Sequence, residues 1–236
     1  MYRIANETSS NLRAIFGNTA TRRGISPAII EKDFWVCFLL EVLFHQSKYS
    51  KHFAFKGGTS LSKVYKAIER FSEDIDLILD WRLLGYLLTQ PWESRSNTKQ
   101  ESFNQEAALR TERFLATEFV PSLEESLSSF IKDFDLHVDP DDSQTVLFRY
   151  PQIFTDKSLL QEIRLEIGPL AAWSPSADKP ITPYAAEEFP KAFRMPSTLV
   201  RTVEAKRTFW EKATILHREA NRKSGKPTNQ VFQALL

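Results

Sequence analysis

Cysteine, glycine and net charge are all scarce in this chain, and each shortage excludes something. One thiol, Cys37, cannot build an internal disulfide framework. Its place in DFWVCFLLEVLF predicts a small buried core residue. A net charge of +1 over 236 residues gives no bulk field to gather nucleic acid or an anionic membrane, so any such surface is a local patch. No apolar stretch approaches the roughly 20 residues that cross a bilayer. The N-terminus, MYRIANETSSNLRAIF, lacks the basic region and apolar run of a secretory signal. Together these absences predict a cytoplasmic protein with no membrane partner. His45, His52, His137 and His217 are scattered without metal-ligand spacing, and no repeat or low-complexity tract is visible.

What is present is core material: 42% hydrophobic residues, including 18 Phe and 5 Trp. Ser26–Phe44 opens with Ser-Pro, a good N-cap and first turn, and is apolar nearly all round beyond Phe34, which predicts a core helix. Phe53–Phe55 reads as a short strand stopped at Gly57. Leu61, Val64, Tyr65 and Ile68 recur at helical intervals just after the glycines. Asp74–Leu79 alternates instead, with Ile75, Leu77 and Leu79 on one face and Asp74 and Asp76 on the other. Asn97–Ile131 reads as helix broken at Pro121, and DFDLHVD, TVLFRYP and LLQEIRLEIG read as three strands. The proline-rich PLAAWSPSADKPITPYAAEEFP reads as a connector, and Glu204–Arg222 as a helix with a buried stripe of Phe209, Ala213, Leu216 and Ala220. The fold class this predicts is α+β, a mixed sheet flanked by helices with a helical C-terminal part.

With so few glycines, the pair in FKGGTSLSKVYKAIERFSEDIDL needs a reason. Strand, two glycines, helix, then a strand with same-face acids is an arrangement that binds a nucleoside triphosphate. Glycine lets backbone approach a ligand closely, the helix mouth presents unpaired N–H groups, and Thr59 and Ser60 add hydroxyls. Asp74 and Asp76 would lie roughly 6–7 Å apart on one strand face, where mutual repulsion is relieved by a cation. Mg²⁺ suits carboxylate and triphosphate oxygens together. Glu166, alternating with Ile163, Leu165 and Ile167, is the expected third acid, with Glu162 as the alternative on its face. Arg164 and Glu166 could equally decorate a solvated strand face, and Ser72 could cap a helix in place of the acid strand. Lys212 either snorkels from the flank of its helix or reaches inward to a polyphosphate. Lys56 could touch phosphates, whereas Lys63 reads as a helix-surface residue. Arg70 could pair with an acid or a phosphate. Arg201, Lys206, Arg207, Arg218, Arg222, Lys223 and Lys226 form either an RNA-contacting patch or a solvated face interleaved with Glu204, Glu211 and Glu219.

The Gly-Gly turn, helix and Asp-x-Asp of this segment resemble the signature of the AbiEii-type nucleotidyltransferase toxins, a branch of the polymerase-beta-like nucleotidyltransferase superfamily. IIEKDFWVCFLLEVLF, IRLEIG and RTFWEKATILH resemble three further family segments in consistent order. The resemblance implies a nucleotidyltransferase-like domain over residues 1–195 and a helical C-terminal part over 196–236. It implies an NTP- and Mg²⁺-dependent toxin of a bacterial toxin–antitoxin or phage-defence pair, with a separate antitoxin as partner. In some members nucleotides are added to the 3′ end of tRNA. Asp74, Asp76 and Glu166 carry over as metal ligands, Gly57, Gly58, Thr59 and Ser60 as the phosphate-binding turn, and Lys212 as the lysine on the nucleotide phosphates. Family chains usually continue into helices with another acidic motif, whereas RKSGKPTNQVFQALL carries no Asp, so either the chain is shortened or this member lacks that half. A protein acceptor, or nucleotide binding without catalysis, are the alternatives.

Overall fold

The computed structural model describes residues 1–221, apart from 70, 72, 158, 172, 173 and the side chain of Glu219. Its helices are α1 (Tyr2–Ala5), α2 (Ser9–Arg23), α3 (Pro27–His45), α4 (Gly57–Lys63), α5 (Asn97–Phe114), α6 (Val120–Ser128), α7 (Tyr184–Glu188) and α8 (Ala205–Ala220). The strands are β1 (Phe53–Lys56), β2 (Ile75–Leu79), β3 (Asp135–Asp139), β4 (Asp142–Arg149), β5 (Ile163–Gly168), β6 (Ser176–Ile181) and β7 (Thr198–Val203). They form one seven-stranded mixed sheet in the order β3-β4-β5-β2-β1-β7-β6. Pairs β2–β5 and β1–β7 are parallel, and the other neighbours are antiparallel. The expected mixed sheet flanked by helices is therefore the fold. Because β7 pairs with β1, the sheet continues past residue 195.

Strand alternation divides the sheet into two unlike faces. Phe53, Phe55, Ile75, Leu77, Ile163, Leu165, Val146 and Phe148 belong to the main core, together with α3 and parts of α2, α5 and α6. Among the described residues, the other face has a small apolar cluster of Ala54, Ile78 and Val203. Helix α3 runs through the core, as its all-round apolarity predicts. Trp35 is fully buried, with ring centroids 5.2 Å from Phe34, 5.4 Å from Phe38 and 5.8 Å from Tyr150. Burial of such a side chain contributes about 2–3 kcal/mol. Ser26 does not cap α3 with its side chain, and instead its hydroxyl donates to Asp156 at 3.0 Å.

Three sequence expectations are corrected. The helix expected through Ile68 stops at Lys63, and Lys66 adopts a left-handed φ of 51° that cannot continue it. The proline-rich connector contains β6, a strand at the sheet's edge. There Pro180 needs no ladder partner for the N–H it lacks. The expected stripe on α8 is covered only in part: Ala213 and Leu216 are half-buried, Ala220 is exposed, and Phe209 is 61% exposed and stacks edge-on with Trp210, itself 65% exposed, while Thr208 is buried. The break near Pro121 is observed as a five-residue π-turn, Leu115–Phe119, between α5 and α6.

Candidate active site

The acids sit on the sparsely covered face of the sheet. In β2 the alternation that sends Ile75, Leu77 and Leu79 into the core sends Asp76 the other way. In β5 the same alternation presents Glu166. Parallel pairing aligns Asp76 directly with Glu166, Lys56 is opposite Asp76 on β1, and Thr145 is opposite Glu166 on β4. A single row therefore crosses four strands: Thr145, Glu166, Asp76, Lys56. Adjacent strands are about 4.8 Å apart, so the two carboxylates are neighbours.

Asp74 lies just before β2, outside the ladder. Its carbonyl accepts a hydrogen bond from the Thr59 hydroxyl of α4. The Ser60 hydroxyl donates to the Gly57 carbonyl at 2.8 Å. Both hydroxyls read from sequence as phosphate donors thus also brace the glycine turn and the acid segment. Gly57 has a φ of 76°, and a Cβ there would overlap the Asp76 carboxylate. The turn needs glycine both for its left-handed backbone and for the space that Asp76 occupies.

Electrostatics link these groups. Burial pushes the Asp76 carboxyl up to about 6, with Lys56 pulling it down and Asp74 pushing it up. Burial likewise raises Glu166 to about 7, reinforced by the charges of Asp76 and then Asp74. Lys212 on α8 lowers Asp76 from the other side, and Glu211 opposes it. Glu211 also pairs with Lys56 at 3.3 Å and with Arg207 at 3.5 Å, which ties α8 to β1. Glu162, the alternative third acid, is engaged by Arg149 at 3.2 Å, and Arg164 by Asp139 at 2.9 Å.

The structure therefore brings Asp74, Asp76, Glu166, Lys212 and the glycine turn into one region. Among the described residues no three His, Cys, Asp or Glu side chains cluster tightly enough to hold a metal ion by themselves. Mg²⁺ is ordinarily held by one or two carboxylates plus substrate phosphates, not by an all-protein cage. An all-carboxylate donor set, with two members raised first by burial and further by neighbouring carboxylates, fits such an ion.

Sequence reasoning missed Glu211 as a site residue, although its place beside Lys212 was a signal. It also misplaced Lys63, which is buried and pairs with Asp33 at 2.5 Å, with the Tyr184 ring 3.9 Å from its Nζ. Of the basic C-terminal residues, Arg201 donates to the Lys51 carbonyl at 2.9 Å, while Arg222, Lys223 and Lys226 lie outside the described residues, as do Arg70 and Ser72.

Among protein families, a model described as the nucleotidyl transferase AbiEii toxin of a type IV toxin–antitoxin system matches residues 39–227. That stretch contains the glycine turn, all three acids and Lys212. No curated protein matches the chain. Among solved structures, MenT4, a nucleotidyltransferase toxin from Mycobacterium tuberculosis H37Rv, is similar at 14% identity and a TM-score of 0.49. The similarity covers 91% of this chain and 60% of that one. This chain thus spans less than two thirds of the MenT4 chain.

Proposed function

The chain belongs to the AbiEii family of nucleotidyl transferase toxins of type IV toxin–antitoxin systems, and on that premise we propose that it transfers a nucleotide from an NTP to an RNA hydroxyl, forming a phosphodiester as the α–β phosphoanhydride breaks and pyrophosphate leaves. The 3′ end of tRNA is the favoured acceptor, and a cognate antitoxin protein is the partner. The observation that carries this reading is the register of Asp76 with Glu166 beside Asp74, on a sheet face left largely free of core packing.

Asp74, Asp76 and Glu166 would hold Mg²⁺, which supplies charge neutralisation to the triphosphate oxygens when bound. The turn of Gly57, Gly58, Thr59 and Ser60 receives the phosphates through its backbone, because its two hydroxyls donate to Asp74 and Gly57. Lys212 adds a point charge on a flexible stem that can follow the polyphosphate. Glu166 orients or deprotonates the attacking 3′-hydroxyl. No protein nucleophile is needed, since positioning and charge stabilisation account for transfer of this type.

The test is incubation of the purified chain with each labelled NTP, Mg²⁺, tRNA and cell lysate. Label in tRNA, abolished by Asp74→Ala in a variant with unchanged melting temperature, supports the reading. Label in protein would redirect it to a protein acceptor, and NTP binding with no label would reduce the chain to a nucleotide-binding module. Full activity in Asp74→Ala would remove the mechanism.

A further inference from the structure

Three consecutive charged residues of α3, Glu31, Lys32 and Asp33, are buried at 0%, 1% and 0% exposure. Neighbours on a helix point about 100° apart, so no single ion pair can satisfy all three. Each has its own partners. Glu31 accepts from the backbone N–H groups of Ile153 and Phe154 at 2.8 and 2.9 Å. Asp33 accepts from Lys63 of α4 and from the Tyr184 N–H at 2.6 Å. Lys32 donates to Glu73 at 2.6 Å and to the Leu160 carbonyl at 2.7 Å.

The Lys32 contacts reach the reacting groups. Glu73 directly precedes Asp74, and Leu160 lies just ahead of β5, which carries Glu166. One ammonium thus joins the two segments that enter the parallel strands of the acid row. Asp76 and Glu166 are already fixed by ladder pairing, but Asp74 lies outside the ladder and is set by its neighbours, Thr59 on one side and Glu73 on the other. Stability alone does not favour a buried lysine here, because well-packed apolar residues commonly replace buried ion pairs at no loss.

We propose that Lys32, acting through Glu73, is a positioning residue for nucleotidyl transfer that sets where Asp74 stands relative to Glu166. This rests on the nucleotidyltransferase reading above. Neither side chain reacts, and their effect on the chemistry passes through the backbone of the acid segment.

The experiment measures kcat and KM for NTP, with melting temperature, in wild type, Asp74→Ala, Glu73→Ala, Glu73→Gln, Lys32→Met and the Lys32→Met/Glu73→Ala double variant. Glu73→Ala should lower kcat by about tenfold or more, as loss of supporting contacts does at other sites, with KM within threefold. The melting temperature should fall, because the buried Lys32 loses its carboxylate, but stay above the assay temperature, because water reaches the half-exposed Glu73 position. Glu73→Gln still accepts from Lys32 and should restore kcat to within threefold of wild type. The double variant should be no slower than Lys32→Met alone, because the two changes remove one contact. The Glu73 side chain is 34% exposed, so its variants carry the test even if Lys32→Met fails to fold. A Glu73→Ala kcat within twofold of wild type, an effect on KM alone, or additive losses in the double variant would each overturn the proposal. Wild type that transfers nothing overturns the underlying reading, and is told apart because active wild type is the first condition measured.

Discussion

Gly57→Ala tests the close approach of the glycine turn to the acid strand without assuming any activity. Two costs arise. The first is the left-handed backbone, a φ of 76°, which costs an alanine about 1–2 kcal/mol. The second is the overlap of the new Cβ with the Asp76 carboxylate, which forces that side chain or the turn to move. Overpacking of this kind adds about 1–3 kcal/mol. The single substitution should therefore cost about 2–5 kcal/mol, and for a chain of this size each kcal/mol moves the melting temperature by about 2–4 °C. In an Asp76→Ala background the overlap with the carboxyl group is gone, leaving the backbone cost and a 2.8 Å approach to the remaining Cβ of residue 76. A double-mutant cycle by urea denaturation should then give a coupling of at least about 1 kcal/mol between the two positions. Equal cost in both backgrounds would refute the packing of Gly57 on Asp76, and with it the tight joint between turn and acid row.

Two further outcomes follow from the charges buried in α3. Burial raises Glu31 from 4.5 to about 7, against the hydrogen bonds from Phe154 and Ile153. Between those pH values the unfolded chain has released this proton and the folded chain has kept it. The unfolded state therefore binds fewer protons, and stability falls as pH rises. Relative to Glu31→Gln, wild type should lose stability by an amount on the order of 3 kcal/mol from pH 4.5 to 7, read by denaturant titration at each pH. A flat difference would contradict the burial. Lys63→Met strands the Asp33 carboxylate in the core and should cost about 3–5 kcal/mol. Asp33→Asn/Lys63→Met should recover much of that, since the Asn oxygen still accepts from Tyr184, and a double variant as unstable as the single would argue against the pair.

Where sequence was readable, alternation made it so. Ile75, Leu77 and Leu79 against Asp76, and Ile163, Leu165 and Ile167 against Glu166, located both acid strands and the face their carboxylates share. Alternation could not say that the two strands are neighbours, because that depends on pairing between segments separated by β3 and β4 in the chain. Lys63 read as a surface residue because its partner Asp33 is 30 positions away, out of reach of local spacing. Helix α8 was misread because apolarity was taken as the guide to its inner side. Against a polar site the covered residues include Thr208, Glu211, Lys212 and Ile215 as well as Ala213 and Leu216, and Phe209 is left outside. Strand β6 was missed because Pro180 and the prolines flanking the strand read as loop signals, although an edge strand tolerates a proline.

The parallel alignment of Asp76 with Glu166 has a consequence for how such a chain can change over time. Residues added or removed in the loops of the long excursion from Asp80 to Glu162, outside α5, α6, β3 and β4, leave the two carboxylates as neighbours. Sliding β5 by one position is a different matter. It would bring Leu165 or Ile167 beside Asp76 and turn the acid inward among hydrocarbon. Length in those loops is free to drift, whereas the reading frame of a six-residue strand is not.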